Sequence, residues 1–227
     1  MKIFTHKFVL GFSFVLSLLL FPSCFEIIEE VNLNDDGSGT FNFTVNMSQS
    51  KLNINSMLLL DSVNGRPVPK IEDFKENLEH LKTILNNDSS ISNVLVKENW
   101  EDYIFSISGD FKDIETLNKS INNINTTLSR PNGYTPIIKN NFSYTEKIFT
   151  RLYSYNLINE YNTLSEKDKS VFKNAKYTTI YRFKSPVSNY SNPDALKSKS
   201  GKAVMLKVNV KDLITNKKTI KNTIHLK

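Results

Sequence analysis

The stretch FEIIEEVNLNDDGSGTFNFTVNM, residues 25–47, decides the fold. Phe25, Ile27, Val31 and Leu33 share one parity, and Phe41, Phe43, Val45 and Met47 alternate with Asn42, Thr44 and Asn46. Period-two alternation describes strands with one buried and one wet face. Between them, Asn34-Asp35-Asp36-Gly37-Ser38-Gly39 is a turn, with Asp-Gly supplying the positive φ that tight hairpins demand. The spacing therefore predicts a β-hairpin.

Working outward, residues 48–60 read as a helix ending in Met57-Leu58-Leu59-Leu60, and Asn64-Gly65-Arg66-Pro67-Val68-Pro69 breaks the chain. Ile71, Phe74, Leu78, Leu81 and Leu85 follow the helical period over 70–85. Strands are expected over 91–96 and 103–108. A second amphipathic helix follows, marked by Phe111, Ile114, Leu117, Ile121, Ile124 and Leu128, with Asp110 as N-cap. Hairpin then helix thus occurs twice, in pattern and not in residues. Helical character is expected over 148–161, and Ser165 with Asp168 has the form of a capping box. Strands follow over 177–184, 203–210 and 218–226, with a long loop over 185–201. These elements predict an α+β fold, antiparallel sheets with amphipathic helices packed on one face. A single domain over 24–227 is expected, with a possible division near 131–141.

Ahead of the hairpin, Lys2 and Lys7 flank an apolar run, FVLGFSFVLSLLLF over 8–21, and Pro22-Ser23-Cys24 ends it. The run is shorter than the roughly 20 residues a membrane-crossing helix needs, and the order of charge, apolar core and small residue is that of a secretory signal. Leu20-Phe21-Pro22-Ser23-Cys24 resembles the end of a bacterial lipoprotein signal, with Ser23 at the small position and Phe21 and Pro22 departing from the usual pattern. The resemblance implies a signal peptide over 1–23, cleavage before Cys24 and lipidation of its thiol. An ordinary signal peptide or an uncleaved anchor is the alternative. Cys24 is the one cysteine, so a disulfide within the chain is excluded. Lipidation would attach the protein to a membrane of the cell envelope, the outer membrane or cell surface before the inner membrane. Glu26, Glu29 and Glu30 are a weak candidate sorting signal.

A formal net charge of +6 raises the question of nucleic acid. The lysines are scattered, however, and the aromatics follow strand alternation, so the basicity reads as solvated surface and no nucleic-acid partner is expected. Only the segments 197–202 and 217–221 are locally basic, and both read as solvated turns. Asn32, Asn34 and Asp36 imitate a calcium loop, but Phe43 stands where a bidentate acid is required. His80 and His225 have no second histidine or cysteine at ligand spacing, so no metal or cofactor is expected. No Gly-x-Ser-x-Gly elbow is present, and Gly201-Lys202 lacks the rest of a phosphate loop. The acidic pairs Glu29-Glu30, Asp35-Asp36 and Glu101-Asp102 read as solvated or lysine-paired, because neighbouring strand residues face opposite ways. Tyr177, Tyr181 and Phe183 share a face with Thr179 and read as core, and Trp100 as a partly exposed turn residue. No catalytic residue is assigned.

Asp36-Gly37-Ser38-Gly39 and Tyr181-Arg182-Phe183-Lys184-Ser185-Pro186 resemble segments of exported lipoproteins of Gram-negative envelopes. The pattern is also similar to an envelope lipid-binding domain of mycobacterial lipoprotein-like proteins. Neither resemblance brings a catalytic residue with it. The sequence therefore points to a non-catalytic envelope lipoprotein that binds a protein, glycan or amphiphile. The alternatives are an amphiphile carrier, which requires an apolar cavity of several hundred Å³ between sheet and helices, and a hydrolase with dispersed residues. Replacing Cys24 with Ala is expected to move the protein from the detergent phase to the aqueous phase in partition experiments; unchanged partition rejects the lipid tether.

Overall fold

A computed structural model describes residues 25–63, 66–127, 140–153 and 157–227. The elements run β1 (Glu26–Leu33), β2 (Gly39–Asn46), α1 (Lys51–Leu58), β3 (Ser62–Val63), β4 (Arg66–Pro67), α2 (Ile71–Asn86), β5 (Ile91–Asn99), β6 (Ile104–Phe111) and α3 (Ile114–Thr127). They continue as β7 (Phe142–Thr145), β8 (Ile148–Arg151), α4 (Ile158–Thr163), α5 (Glu166–Ser170), β9 (Lys176–Phe183), β10 (Val187–Tyr190), β11 (Leu196–Lys197), β12 (Ala203–Asn209), α6 (Val210–Ile214) and β13 (Asn222–Leu226). The fold is α+β.

Seven strands form one sheet in the order β11-β12-β9-β1-β2-β6-β5, and four form a second in the order β10-β13-β8-β7. All pairs are antiparallel except β1 with β9. In the large sheet Val31 lies opposite Phe41 and Tyr181, so these side chains point to one face. That face is covered twice over. Helices α2 and α3 lie against its β2-β6-β5 half, and the small sheet lies against its β1-β9 half through Phe149 on Tyr181 and Phe183. The other face is polar, carrying Glu30 bonded to Arg182 and Asn42, and Glu26 bonded to Lys207 and Thr178. Exposed pairs of this kind contribute about 0–1 kcal/mol each, so the sheet depends on its covered face.

The β1–β2 turn explains its glycines. Gly37 has φ +87°, and a Cβ on Gly39 would sit 2.1 Å from the Asn32 carbonyl oxygen. Asn32 donates to Thr40, Asn34 to Ser38, and Asp36 accepts from the Ser38 backbone and hydroxyl. The polar residues that imitate a calcium loop are thus spent on closing a hairpin. The turn also holds the second quoted motif, for Ser185 donates to Asp35 at 2.9 Å.

Several expectations are corrected. β6 runs on through Asp110, and Asp113 caps α3 by accepting from the Thr116 backbone at 2.7 Å. Residues 148–151 are a strand and not the start of a helix: Ile148 and Phe149 pair with β13, and the helix waits until Ile158. The region 185–201, read as a loop, contains β10 and β11; β10 is short and irregular in register, which hides its alternation. Of the break at 64–69, Asn64 and Gly65 lie outside the described residues, and their flanks pair as β3 and β4. The proposed division near 131–141 falls almost wholly outside the described residues. Ser165 caps α5 by accepting from the Asp168 backbone, as expected.

The largest correction concerns Glu29. It shares the buried parity of Val31 and Leu33 and is almost fully buried. Arg151 of β8 meets it as a two-pronged pair, Nε to Oε1 at 2.9 Å and Nη2 to Oε2 at 2.8 Å. Tyr177 donates to Oε2 at 2.7 Å and Tyr181 donates to Oε1. The remaining guanidinium donors reach the Leu152 and Asn141 carbonyls, and the Phe142 ring lies 4.9 Å away. Each carboxylate oxygen therefore accepts two bonds, the condition under which a buried ion pair holds without an orphaned charge. The pair clamps the small sheet to the large one. Glu29→Ala or Arg151→Ala alone is expected to cost about 3–5 kcal/mol in urea unfolding, because each strands a buried charge. The double variant Glu29→Leu/Arg151→Met is expected to cost less than the sum of the two.

Candidate functional site: an apolar groove under the sheet

Helix α2 has an apolar stripe, yet only Leu85, in its last turn, is buried. Leu78 and Leu81 are half-buried and Phe74 is 47% exposed. The helix closes on the sheet at one end and leaves a gap along the rest. The gap is a groove of about 320 Å³. Its floor is Phe41, Phe43, Val45, Phe105 and Ile107 of β2 and β6. Its walls are Leu78, Leu81 and Leu85 of α2 and Leu117, Ile121 and Ile124 of α3.

The register gives the groove a direction. Leu33, Gly39, Phe111 and Ile91 align at one end of the sheet, here the tip; Glu26, Asn46, Ile104 and Asn99 align at the other, the base. Helix α2 ends beside the tip, where the chain turns into Ile91, and α3 starts there just after Phe111. At the tip side Leu85 and Leu117 are fully buried and seal the groove. Toward the base Leu78, Ile121 and Ile124 are only partly covered, and Val45 is exposed. From Leu85 to Leu78 the groove runs about 10 Å along the helix axis.

Ser120 borders it, whereas Ser106, opposite Thr44, has the parity of the polar face. Ser120 is turned away to the Asp88 carboxylate, which also accepts from the Ser90 hydroxyl and backbone. Burial raises the Asp88 carboxyl, but these donors outweigh it and hold it below the ordinary aspartate range. Among the described residues, no carboxylate lines this groove.

Phe43 and Ile121 separate the groove from a second cavity of about 410 Å³ on the β1-β9 side. Phe25, Ile27, Tyr177, Leu157, Phe172 and Leu213 line it, with the Glu29–Arg151 pair in its wall. Burial, then the Glu29 carboxylate, push the Tyr177 and Tyr181 hydroxyls well above the ordinary tyrosine range. Burial pulls the Arg151 guanidinium down, and the Glu29 charge reverses this and holds it above its usual value. The cluster is a locked structural element whose proton donors are already engaged.

The residues singled out in the sequence are scattered. His80 is exposed on α2 and His225 is exposed on β13, where Ser188 donates to its carbonyl and not to its ring. Asp102 pairs with Lys51, and Asp35 and Asp36 serve the hairpin. Among the described residues no group of histidine, cysteine and acidic side chains is placed to hold a metal. Tyr181 and Phe183 lie in the core, as their alternation indicates. Trp100 stands edge-on to Phe105 at 4.7 Å with Lys75 above its ring at 5.5 Å, next to the open part of the groove. Cys24 and residues 1–23 lie outside the described residues. No helix among the described residues is long and apolar enough to cross a membrane.

No protein-family model matches the chain. No curated protein matches its sequence. Among solved structures, the chain is similar to the NMR structure of the folded domain of LppM from Mycobacterium tuberculosis. The identity is 10%, 89% of each chain is covered, and the TM-score is 0.43. At an identity and TM-score this low the likeness carries neither a residue nor a role across to this chain.

The tyrosine shifts set the alkaline behaviour. A hydroxyl raised in the folded state contributes stability that is intact below the unfolded value, about pH 10, and is lost as pH rises beyond it. Urea-unfolding stability is therefore expected to decline above about pH 10. The decline is expected to be shallower in Tyr177→Phe/Tyr181→Phe.

Proposed function

We propose that the protein is an envelope lipoprotein, held on the outer membrane or cell surface by lipidated Cys24, that binds the apolar chain of an amphiphile without catalysis. The observation that carries this reading is the groove: several hundred Å³ between sheet and helices, apolar on all sides, sealed at the tip and open toward the base. Its volume falls within the range of small-molecule sites, about 300–1,000 Å³. A one-ended apolar slot suits a linear hydrocarbon, whose polar group stays at the mouth. Leaving Leu78 and Phe74 half-covered forgoes burial worth about 25 cal/mol per Å², which a stability-only helix would recover. The order of signal, cysteine and hairpin supports the tether, for the hairpin begins at Glu26, two residues after Cys24.

The test uses N-phenyl-1-naphthylamine as probe and a phospholipid as competitor. The wild-type protein is expected to enhance probe fluorescence, and phospholipid to displace the probe. Leu78→Trp, which fills the open part of the groove at a half-exposed site, is expected to weaken probe binding at least tenfold with an unchanged melting temperature. Equal probe binding by a folded Leu78→Trp protein rejects the groove as the site.

A further inference from the structure

The base of the molecule carries a second apolar feature that the fold does not use. Beyond Asn46 the chain forms α1, and Leu52 is 82% and Leu59 87% exposed, with Met57 and Leu60 about half exposed. Leu52 and Leu59 are seven residues apart, two helical turns, so they share one face. Residues 48–60 contain no acidic side chain and one lysine, Lys51. The segment is held firmly: Met47 donates to the Tyr103 carbonyl, Tyr103 donates to Asn55, and Lys51 pairs with Asp102 at 3.2 Å. The exposure is therefore built in.

The position of this face names its occupant. Glu26 pairs with Asn46, so the start of β1 and the approach to α1 lie side by side at the base. Cys24 is covalently adjacent to Phe25, whose carbonyl accepts from Lys176 at that same end. Whatever membrane attachment precedes residue 25 therefore emerges beside α1. The groove also opens toward this end.

We propose that α1 with Leu59 and Leu60 is a membrane foot, inserting its leucines into the interfacial region of the lipid bilayer and setting the molecule upright with the groove mouth facing the lipid. The inference rests on the tethered reading above. A short apolar face with no acidic residue gains by entering the acyl boundary, and attachment next to it removes most of the cost of bringing it there. Polar Asn53, Asn55 and Ser56 stay in reach of headgroups.

The test is a depth measurement on the full chain, recovered from host membranes and reconstituted in phosphatidylethanolamine/phosphatidylglycerol vesicles. A nitroxide label is placed at Leu59→Cys or, as control, at Lys199→Cys in the exposed turn before β12 at the tip end. The residue-59 label is expected to collide preferentially with oxygen, with an oxygen-to-nickel-chelate ratio several-fold above that of residue 199. Equal ratios at the two sites overturn the foot. Shielding of residue 59 from both reagents, the mark of a protein partner, also overturns it. Intact mass of the same sample reports acylation of Cys24 separately. If the chain is unacylated its free Cys24 would also take the label, so depth is then read in Cys24→Ala/Leu59→Cys; a deep residue-59 label there keeps the foot while the mass rejects the lipid tether.

Discussion

One buried ion pair holds this architecture together. A seven-stranded sheet with one apolar face needs that face covered along its whole width, and two helices cover only half of it. The other half is taken by a separate four-stranded sheet, joined through Glu29 and Arg151. Two charges in such a place cost several kcal/mol each to desolvate. They are tolerable because Tyr177 and Tyr181 complete the carboxylate, while the Leu152 and Asn141 carbonyls complete the guanidinium. A planar fork matched to a carboxylate fixes orientation as well as distance, so the pair sets how the small sheet sits on the large one.

That arrangement leaves the helical half free to be imperfect. In the β1-β9 half stacked and edge-on aromatics, Phe142, Phe149, Tyr181 and Phe183, pack together, and the second cavity lies beside them. The β2-β6 half is sealed only at the tip, by Leu85 and Leu117, and stands open along α2 toward the base. The two halves thus differ in how they are closed, one by aromatics and a buried ion pair beside a cavity of its own, the other by helix ends that leave an open groove. The partition at Phe43 and Ile121 marks where one gives way to the other.

The base of the sheet gathers the start of β1, the exposed apolar face of α1 and the open part of the groove. Antiparallel pairing brings this about without any specific contact. A hairpin returns its second strand to the level where the first began, so whatever precedes β1 and whatever follows β2 become neighbours. The polar turn at Asp36-Gly37 is carried to the opposite end by the same rule.

Alternation alone fixed much of this protein. The hairpin at 25–47, both amphipathic helices, the strands through Tyr181 and Val208 and the α+β class follow from local periodicity, because a strand or helix must present one face to a core wherever that core lies. Glu29 shares the parity of Ile27, Val31 and Leu33, but its charge leads to a solvated or lysine-paired reading, which the structure overturns. What only the tertiary structure decided was its partner. Arg151 is 122 residues away on a four-residue strand, and no local pattern links the two. The short strands of the small sheet were hidden for the same reason: they are defined by pairing across the chain, not by their own composition. The groove is of this kind too. Its residues are the apolar stripes that sequence assigns to a core, and only the stand-off of α2 from the sheet turns them from packing into the lining of an open groove.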